Sequence, residues 1–232
     1  MMADLRKQIG KPLAELLHGI VKISAEENRS ILGIALDSRT LQPGDLFLAM
    51  AGTQQHGLSF LDAVVQQGAV AVLYDGGSEF QAAYITKLRR KYSIPLVFVP
   101  DLKICAGEIA SRFWNHPSRS LRVVGITGTN GKTSTSHFIA QALKAMEVEA
   151  AVIGTLGMGV PGKLVSIGHT TPDAVRSQQF FAQVVEQKIP WVAMEVSSHS
   201  LDQYRVAGTH FAYGVWTNLS QDHLDYHGDL AS

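Results

Sequence analysis

The sequence predicts an α/β fold in two domains, the second of them built on an open parallel sheet, and three observations lead to this prediction. Short apolar, β-branched segments alternate with segments of helical spacing along most of the 232 residues. Residues 115–120 form a polar segment in which Pro117 ends the preceding helix. Residues 123–146 have the pattern of a strand, a glycine-rich turn and a helix. We therefore expect a small amino-terminal α/β domain over residues 1–119 and an open parallel-sheet domain over residues 120–232.

Composition excludes several classes of partner. Lys and Arg together number 20, as do Asp and Glu, so no net positive field favours nucleic acid or an anionic membrane. The single cysteine, Cys105, rules out an internal disulfide framework and a multi-cysteine metal site. No apolar run approaches the ~18–20 residues that span a bilayer, and the amino terminus lacks the apolar core of a signal peptide. These features predict a cytoplasmic protein.

The first domain is predicted to begin with a helix over residues 5–17, followed by strands at 33–36 and 46–49. Pro43 and Gly44 supply the fixed φ and the permitted positive φ of a turn between these strands. Asp37, Ser38 and Arg39 follow the first strand. On their own they fit either the polar corner of a hairpin or a binding segment. The elements expected afterwards are a helix near 60–65, a strand at 69–74, a helix at 78–92, a strand at 95–99 and a helix at 101–114.

The glycine-rich turn has the sequence Thr-Gly-Thr-Asn-Gly-Lys-Thr at residues 127–133. Backbone N–H groups of such a turn converge at the positive end of a helix, an arrangement that suits a polyphosphate. Lys132 would reach the outer phosphates and the Thr133 hydroxyl would bind Mg²⁺. Ile126 stands where the general P-loop pattern has glycine, so the match is to a variant of that pattern. We predict a site for ATP and Mg²⁺ here.

Later strands of the second domain also end in polar residues. A strand at 150–153 precedes four spaced glycines that predict a hairpin or loop, and Thr171 is expected to cap the helix that follows. Strands at 191–194 and 211–216 lead into polar residues 195–199 and 217–227. Because parallel strands end at one sheet edge, these clusters should converge on the ATP site, with Glu195 as a metal ligand. His223 and His227 have the spacing of a zinc pair, but no third ligand stands at a known spacing.

Taken together, these motifs resemble those of the Mur ligase family, the ATP-dependent amide-bond-forming enzymes of peptidoglycan precursor synthesis. The resemblance covers nearly the whole chain and is closest to the members that add the third residue of the peptide. The motifs that carry it are Leu36-Asp37-Ser38-Arg39 with residues 43–47, Thr-Gly-Thr-Asn-Gly-Lys-Thr at 127–133, Thr-Thr-Pro-Asp at 170–173, Met-Glu-Val-Ser-Ser-His at 194–199, and Asp-His-Leu-Asp-Tyr-His-Gly at 222–228.

The resemblance implies roles for individual residues. Lys132, Glu195 and His223 would be catalytic, and Thr133, Glu195 and His223 would order magnesium. His169 and Thr53 differ from the residues found in relatives. The residues implied to bind ATP are Gly128, Thr129, Asn130, Gly131, Lys132, Thr133 and Ser134. Those implied to bind the UDP-muramoyl-dipeptide are Leu36, Ser38, Thr53, Gln54, Gln55, His169, Thr170, Thr171, Ser197, Gln203 and Arg205.

The implied reaction is ATP-driven addition of the third amino acid, meso-diaminopimelate or L-lysine, to UDP-N-acetylmuramoyl-L-Ala-D-Glu through an acyl phosphate. Residues 1–119 would bind the uridine nucleotide and residues 120–232 the ATP. The family also has a carbamylated lysine beyond the last motif and a third domain that selects the amino acid. Because no lysine follows Lys188, we expect an amino-terminal part that binds the UDP-muramoyl-dipeptide measurably and ATP weakly but forms no tripeptide product.

Two other functions remain open at this stage. One is another ligase of the same class, either the Mur ligase of the fourth step or a folylpolyglutamate synthetase. Of these, the fourth-step enzyme is expected to lack Met-Glu-Val-Ser-Ser-His, and the folylpolyglutamate synthetase the Asp-Ser-Arg segment. The other is a non-catalytic nucleotide-binding module.

Overall fold

The computed structural model describes residues 10–52, 55–76, 82–168 and 170–220. The chain divides into two compact units, residues 1–116 and residues 117–232, each with its own sheet of mainly parallel strands. Within the described ranges the longest helix has 14 residues, and no helix is long and apolar enough to cross a bilayer.

The first unit contains a four-stranded parallel sheet in the order β3-β4-β5-β6. Its elements are β1 (Lys11–Pro12), α1 (Leu13–Leu16), β2 (Ser30–Ile31), β3 (Gly33–Ala35), β4 (Asp45–Ala49), a 3₁₀ turn (Gly57–Phe60), α2 (Leu61–Gln66), β5 (Ala71–Tyr74), α3 (Ala82–Lys91), β6 (Leu96–Phe98) and α4 (Leu102–Phe113). Every residue of β4 and β5 is buried, as expected of inner parallel strands covered on both faces. Phe47 and Val72 pack in one cluster with Leu61 and Val64 of α2 and with Ile85 of α3.

The predicted helix over residues 5–17 is wrong at its described end. Lys11 and Pro12 instead pair antiparallel with Ile31 and Ser30, and α1 spans only Leu13–Leu16. Pro12 has φ −60° and ψ 134°, an extended conformation directly before the helix. The ring of Pro12 also disfavours the helical conformation at the preceding Lys11, so the helix begins after the proline.

A hairpin at Asp37 and Arg39 is also wrong, because the strands on either side of them are parallel. Gly33 pairs with Asp45 and Ala35 with Phe47 in the same direction, so residues 36–44 form a crossover connection. At the start of this connection Asp37 accepts hydrogen bonds from the Arg39 guanidinium at 2.6 and 2.9 Å. The segment therefore follows a parallel strand, and the alternative, a binding segment, stays a prediction.

The second unit contains a five-stranded sheet in the order β11-β7-β10-β8-β9. Its elements are a 3₁₀ turn (Pro117–Ser120), β7 (Arg122–Thr127), α5 (Lys132–Ala145), β8 (Ala150–Gly154), β9 (Gly157–Gly159), α6 (Ala174–Glu186), β10 (Trp191–Glu195), α7 (Ser198–Asp202) and β11 (Tyr213–Trp216). Four strands are parallel, and β9 returns antiparallel to β8, which is the hairpin expected from the spaced glycines. The carboxyl ends of β11, β7, β10 and β8 therefore share one edge.

Alternate side chains of these strands enter two separate cores. Val123 and Met194 pack with Phe181 of α6, whereas Val124 and Ala193 face the other side and pack with Ala140 of α5. The alternation follows from the two-residue period of a strand. With a helix held on each face, the polar residues that follow the strands remain at the open edge.

The cap of α6 differs from the prediction of Thr171. Asp173 is the capping residue, and its carboxylate accepts a hydrogen bond from the Arg176 N–H at 2.8 Å. The Thr171 hydroxyl is buried and donates to the Glu195 carbonyl at 2.9 Å. Threonine and aspartate side chains can both cap a helix. The Thr171 hydroxyl is instead bonded to the carbonyl of Glu195, 24 residues away in the sequence.

Candidate functional site

The loop between β7 and α5 has the predicted strand–turn–helix geometry. Gly128 and Gly131 have φ of +132° and +88°, values that favour glycine. A Cβ on Gly128 would lie 2.2 Å from the Thr217 hydroxyl oxygen, so this position has no room for a side chain either. The predicted ATP-binding residues thus occupy the loop (Gly128, Thr129, Asn130, Gly131) and the first turn of α5 (Lys132, Thr133, Ser134). The N–H groups of this first turn have no acceptor within the helix.

The Lys132 ammonium lies against the loop. It donates hydrogen bonds to the carbonyls of Gly128 at 2.5 Å and of Thr129 at 2.9 Å. The side chain is half-buried, so its charge is held close to the backbone that turns around the helix start. This position suits a cation that neutralises phosphate charge at the same loop.

Residues after β11 brace the glycine loop from its other side. The Thr217 hydroxyl donates to the Asn130 carbonyl at 2.7 Å, and the Asn218 amide both donates to that carbonyl and accepts from the Asn130 N–H. The Ser220 N–H donates to the Thr129 hydroxyl at 2.9 Å. The polar cluster after this strand was expected at the site, but the bracing role of these three residues was not predicted.

Glu195 is the buried carboxylate of the site, with 1% of its surface exposed at the end of β10. Its Oε2 accepts from the Thr133 hydroxyl at 3.0 Å and its Oε1 from the Thr155 N–H at 3.1 Å. Two of the three residues predicted to bind magnesium are therefore in direct contact. Carboxylate and hydroxyl oxygens are hard ligands that fit Mg²⁺.

Part of the predicted metal site lies outside the described residues, including His223 and the zinc alternative with His227. Among residues 10–52, 55–76, 82–168 and 170–220, no group of three His, Cys, Asp or Glu side chains is arranged to hold a metal ion. The oxygen pair of Thr133 and Glu195 therefore remains the described part of the candidate magnesium site.

Thr155 was not predicted as a site residue. It follows β8, and its hydroxyl lies 3.2 Å from Glu195 Oε2 and 3.1 Å from the Thr170 hydroxyl oxygen. The same rule that identified Glu195, a polar residue at the carboxyl end of a parallel strand, applies to Thr155. The glycines around Thr155 predicted a hairpin or loop, and no site residue was assigned there.

The residues predicted to bind the muramoyl-peptide form a connected group beside Glu195. Arg205 donates to the Thr171 carbonyl at 3.1 Å and to Gln203 Oε1 at 2.9 Å. The Ser197 N–H lies 3.5 Å from the Thr171 hydroxyl, and the Ser197 side chain caps α7. Thr170 joins the group through Thr155, whereas His169 lies outside the described residues. The structure brings these side chains to the sheet edge that carries the glycine loop.

In the first unit the predicted uridine-binding residues follow neighbouring parallel strands. Leu36 and Ser38 follow β3 and are half-buried, and the exposed Gln55 lies in the connection after β4. Thr53 and Gln54 lie outside the described residues. His56, next to Gln55, is buried and its Nε2 lies 2.6 Å from the Asp75 carboxylate. Residues after β3, β4 and β5 thus gather at one edge of this sheet.

Gly154→Ala is expected to destabilise the second unit by about 1–3 kcal/mol, the usual cost of overpacking. A Cβ at Gly154 would lie 1.9 Å from Glu195 Oε1, so the carboxylate would have to move. Gly214→Ala is the matched control, because a Cβ there meets nothing within 4 Å. Urea unfolding of both variants measures the difference, and equal midpoints would contradict the tight packing of Glu195 on Gly154.

Comparison with known proteins agrees with this arrangement. A family model described as the Mur ligase middle domain matches residues 126–232, and one described as the Mur ligase family catalytic domain matches residues 30–114. The UDP-N-acetylmuramoyl-L-alanyl-D-glutamate–2,6-diaminopimelate ligase of Alkalilimnicola ehrlichii is 43% identical over 220 residues, which are 94% of this chain and 44% of that protein. The ligase of the same name from Chromobacterium violaceum is 47% identical over 197 residues, or 85% of this chain and 39% of that protein.

Solved structures give the same result for the fold. A structure of a UDP-N-acetylmuramoyl-L-alanyl-D-glutamate–2,6-diaminopimelate ligase matches with a TM-score of 0.76 at 28% identity, over 96% of this chain and 43% of that one. A MurF ligase from Thermotoga maritima in complex with ADP has a TM-score of 0.52 at 17% identity over 89% of this chain and 41% of that one, a likeness of fold alone. The chain spans less than half the length of these relatives. The two Mur ligase models match residues 30–114 and 126–232, and Thr133, which follows the glycine loop, contacts Glu195. The chain therefore belongs to the Mur ligase family.

Proposed function

We propose that this chain belongs to an ATP-dependent ligase that adds 2,6-diaminopimelate to UDP-N-acetylmuramoyl-L-Ala-D-Glu. The observation that carries the proposal is the contact of Thr133 with Glu195 at the glycine loop, joined through Thr155 to Thr170. The names of relatives that are 43% and 47% identical support the choice of substrate.

In the proposed reaction the glutamyl carboxylate of the substrate attacks the γ-phosphorus of ATP, which gives an acyl phosphate and ADP. The amine of the incoming amino acid then displaces phosphate and forms the amide bond. Phosphoryl transfer of this kind depends on positioning and on neutralisation of charge. The N–H groups of the first turn of α5 and Lys132 would hold the phosphates, while Thr133 and Glu195 would hold Mg²⁺, which neutralises phosphate charge when bound.

The peptide end of the substrate would contact the group around Arg205. This guanidinium is held by Gln203 and by the Thr171 carbonyl, so its planar fork is already oriented. A fixed guanidinium suits a carboxylate of the muramoyl-peptide. The uridine end is assigned to Leu36 and Ser38 after β3 and to Gln55 after β4 in the first unit, together with Thr53 and Gln54.

The relatives' names support 2,6-diaminopimelate over L-lysine as the amino acid. Likeness to fourth-step ligases, such as the MurF from Thermotoga maritima, is at 17% identity and concerns the fold. The substrate peptide therefore separates the two steps, because a third-step enzyme accepts the dipeptide form and a fourth-step enzyme the tripeptide form.

The test is calorimetric titration of the chain with three ligands: UDP-N-acetylmuramoyl-L-Ala, the L-Ala-D-Glu form and the tripeptide form. We expect the dipeptide form to bind at least about tenfold more tightly than the monopeptide form, because a guanidinium–carboxylate contact contributes about 1.5–3 kcal/mol. Arg205→Lys should reduce that preference, since lysine lacks the planar fork. A preference for the tripeptide form would instead favour the fourth step, and no binding of any of the three would contradict the proposal.

A further inference from the structure

The Thr155 hydroxyl lies between two side chains that are proposed to bind different ligands. On one side is Glu195 Oε2 at 3.2 Å, a candidate magnesium ligand. On the other side is the Thr170 hydroxyl oxygen at 3.1 Å, a candidate contact of the muramoyl-peptide. Thr155 belongs to neither set of predicted residues, yet its hydroxyl contacts a side chain of each.

The direction of these hydrogen bonds follows from the number of protons. An ionised carboxylate only accepts, and a hydroxyl has one proton to donate. Thr155 therefore donates to Glu195, and its oxygen accepts the proton of Thr170. Thr133 donates to the same Oε2 at 3.0 Å, so two hydroxyl protons converge on one carboxylate oxygen.

A cation bound at Glu195 Oε2 would compete with these two hydroxyl protons for the same lone pairs. The Thr155 proton could then turn to the Thr170 oxygen, and the Thr170 proton would become available to an acceptor outside the protein. Occupation of the carboxylate would in this way prepare Thr170 to donate to a carboxylate or carbonyl of the peptide.

We propose that Thr155 is a positioning residue that couples the magnesium–nucleotide site to the peptide site through its hydroxyl. The inference rests on the proposed function and deepens it, because it specifies how ligand binding at one site changes the affinity of the other site. Coupling of this kind is reciprocal, so each ligand should raise the affinity for the other by the same factor.

The Thr155 hydroxyl can be removed without loss of the backbone hydrogen bond that Thr155 makes to Glu195. The Thr155 N–H donates to Glu195 Oε1 at 3.1 Å, and any substitution except proline keeps this bond. The side chain itself is exposed, so replacing its hydroxyl by a methyl group leaves no buried polar group without a partner in the hydrophobic core. Thr155→Val therefore removes the bridge and keeps the fold, while Thr155→Ser retains the hydroxyl.

The experiment measures the affinity for UDP-N-acetylmuramoyl-L-Ala-D-Glu by calorimetry, with and without saturating magnesium and a non-hydrolysable ATP analogue. In the unmodified chain we expect the analogue to raise this affinity at least about fivefold, the lower end of typical coupling. Thr155→Val should reduce the factor to below about twofold, whereas Thr155→Ser should retain it. The control Thr135→Val should also retain it, because Thr135 is a half-buried residue of α5 outside the predicted site residues. UDP alone, which lacks the peptide, should show no such increase in any of these proteins.

Two results would overturn the inference: a coupling factor in Thr155→Val equal to that of the unmodified chain, or no coupling in the unmodified chain although both ligands bind. Failure of the proposed function looks different. In that case the unmodified chain binds neither the dipeptide ligand nor the ATP analogue, so there are no two affinities to compare.

Discussion

Lys132→Ala is expected to weaken binding of Mg-ATP by about 10- to 100-fold, because one charge-assisted contact to phosphate contributes about 1.5–3 kcal/mol. The fold should persist, since Lys132 is half-buried at the open sheet edge and its hydrogen bonds go to carbonyls of its own loop. Calorimetry gives the affinity and circular dichroism checks the fold.

Lys144→Ala is the matched control for this prediction. Lys144 is in the last turn of the same helix and is exposed, so its loss removes an equal charge far from the loop. Binding of Mg-ATP by a folded Lys132→Ala protein with the affinity of Lys144→Ala would contradict the assignment of the loop to phosphate.

Glu195→Gln should weaken binding of ATP in the presence of Mg²⁺ by about tenfold or more, because a metal ligand loses its charge. Binding of ATP without Mg²⁺ should stay the same or improve, since a negative charge near the phosphates has been removed. The amide oxygen can keep the bond from the Thr155 N–H at the Oε1 position. The hydroxyls of Thr133 and Thr155 can then rotate to accept from the amide nitrogen.

The informative quantity for this variant is the ratio of the two affinities, with and without Mg²⁺. Glu149→Gln serves as the control, because Glu149 is exposed just before β8, at the opposite end of that strand from Gly154. Equal loss of affinity in both titrations would mean that Glu195 acts through hydrogen bonds alone and not as a magnesium ligand.

The parts of the site that sequence reasoning located depend on local pattern. A strand, a glycine turn and Lys132 on a helix are contiguous, so their relative positions follow from backbone geometry. Glu195 could be located because parallel strands end at one edge, which turns a position in the sequence into a position in space. Its contact with Thr133 spans 62 residues of sequence.

What sequence reasoning missed depends on competition between partners. Threonine is a common capping residue, but the Thr171 hydroxyl donates to the Glu195 carbonyl, and Asp173 caps the helix instead. Helical spacing over residues 5–17 did not account for Pro12, whose extended conformation places Lys11 in a strand. In each case the deciding contact lies with a residue far along the chain or with a backbone restriction that periodicity ignores.

Thr155 shows a third kind of omission. The residue had the right position, directly after a buried parallel strand, but a single hydroxyl among glycines carries little pattern. Its importance is visible only when Glu195 and Thr170, 40 and 15 residues away, are seen on either side of it. The same is true of Asn218, whose contacts with the glycine loop span 88 residues.

We propose that one chain binds both Mg-ATP and the UDP-muramoyl-dipeptide, as a Mur ligase does. Sequential calorimetric titration tests it most directly: the chain is saturated with Mg²⁺ and a non-hydrolysable ATP analogue and then titrated with UDP-N-acetylmuramoyl-L-Ala-D-Glu. We expect one molecule of each ligand to bind per chain, and at the same time. Displacement of the first ligand by the second, or failure of the chain to bind either, would contradict the claim.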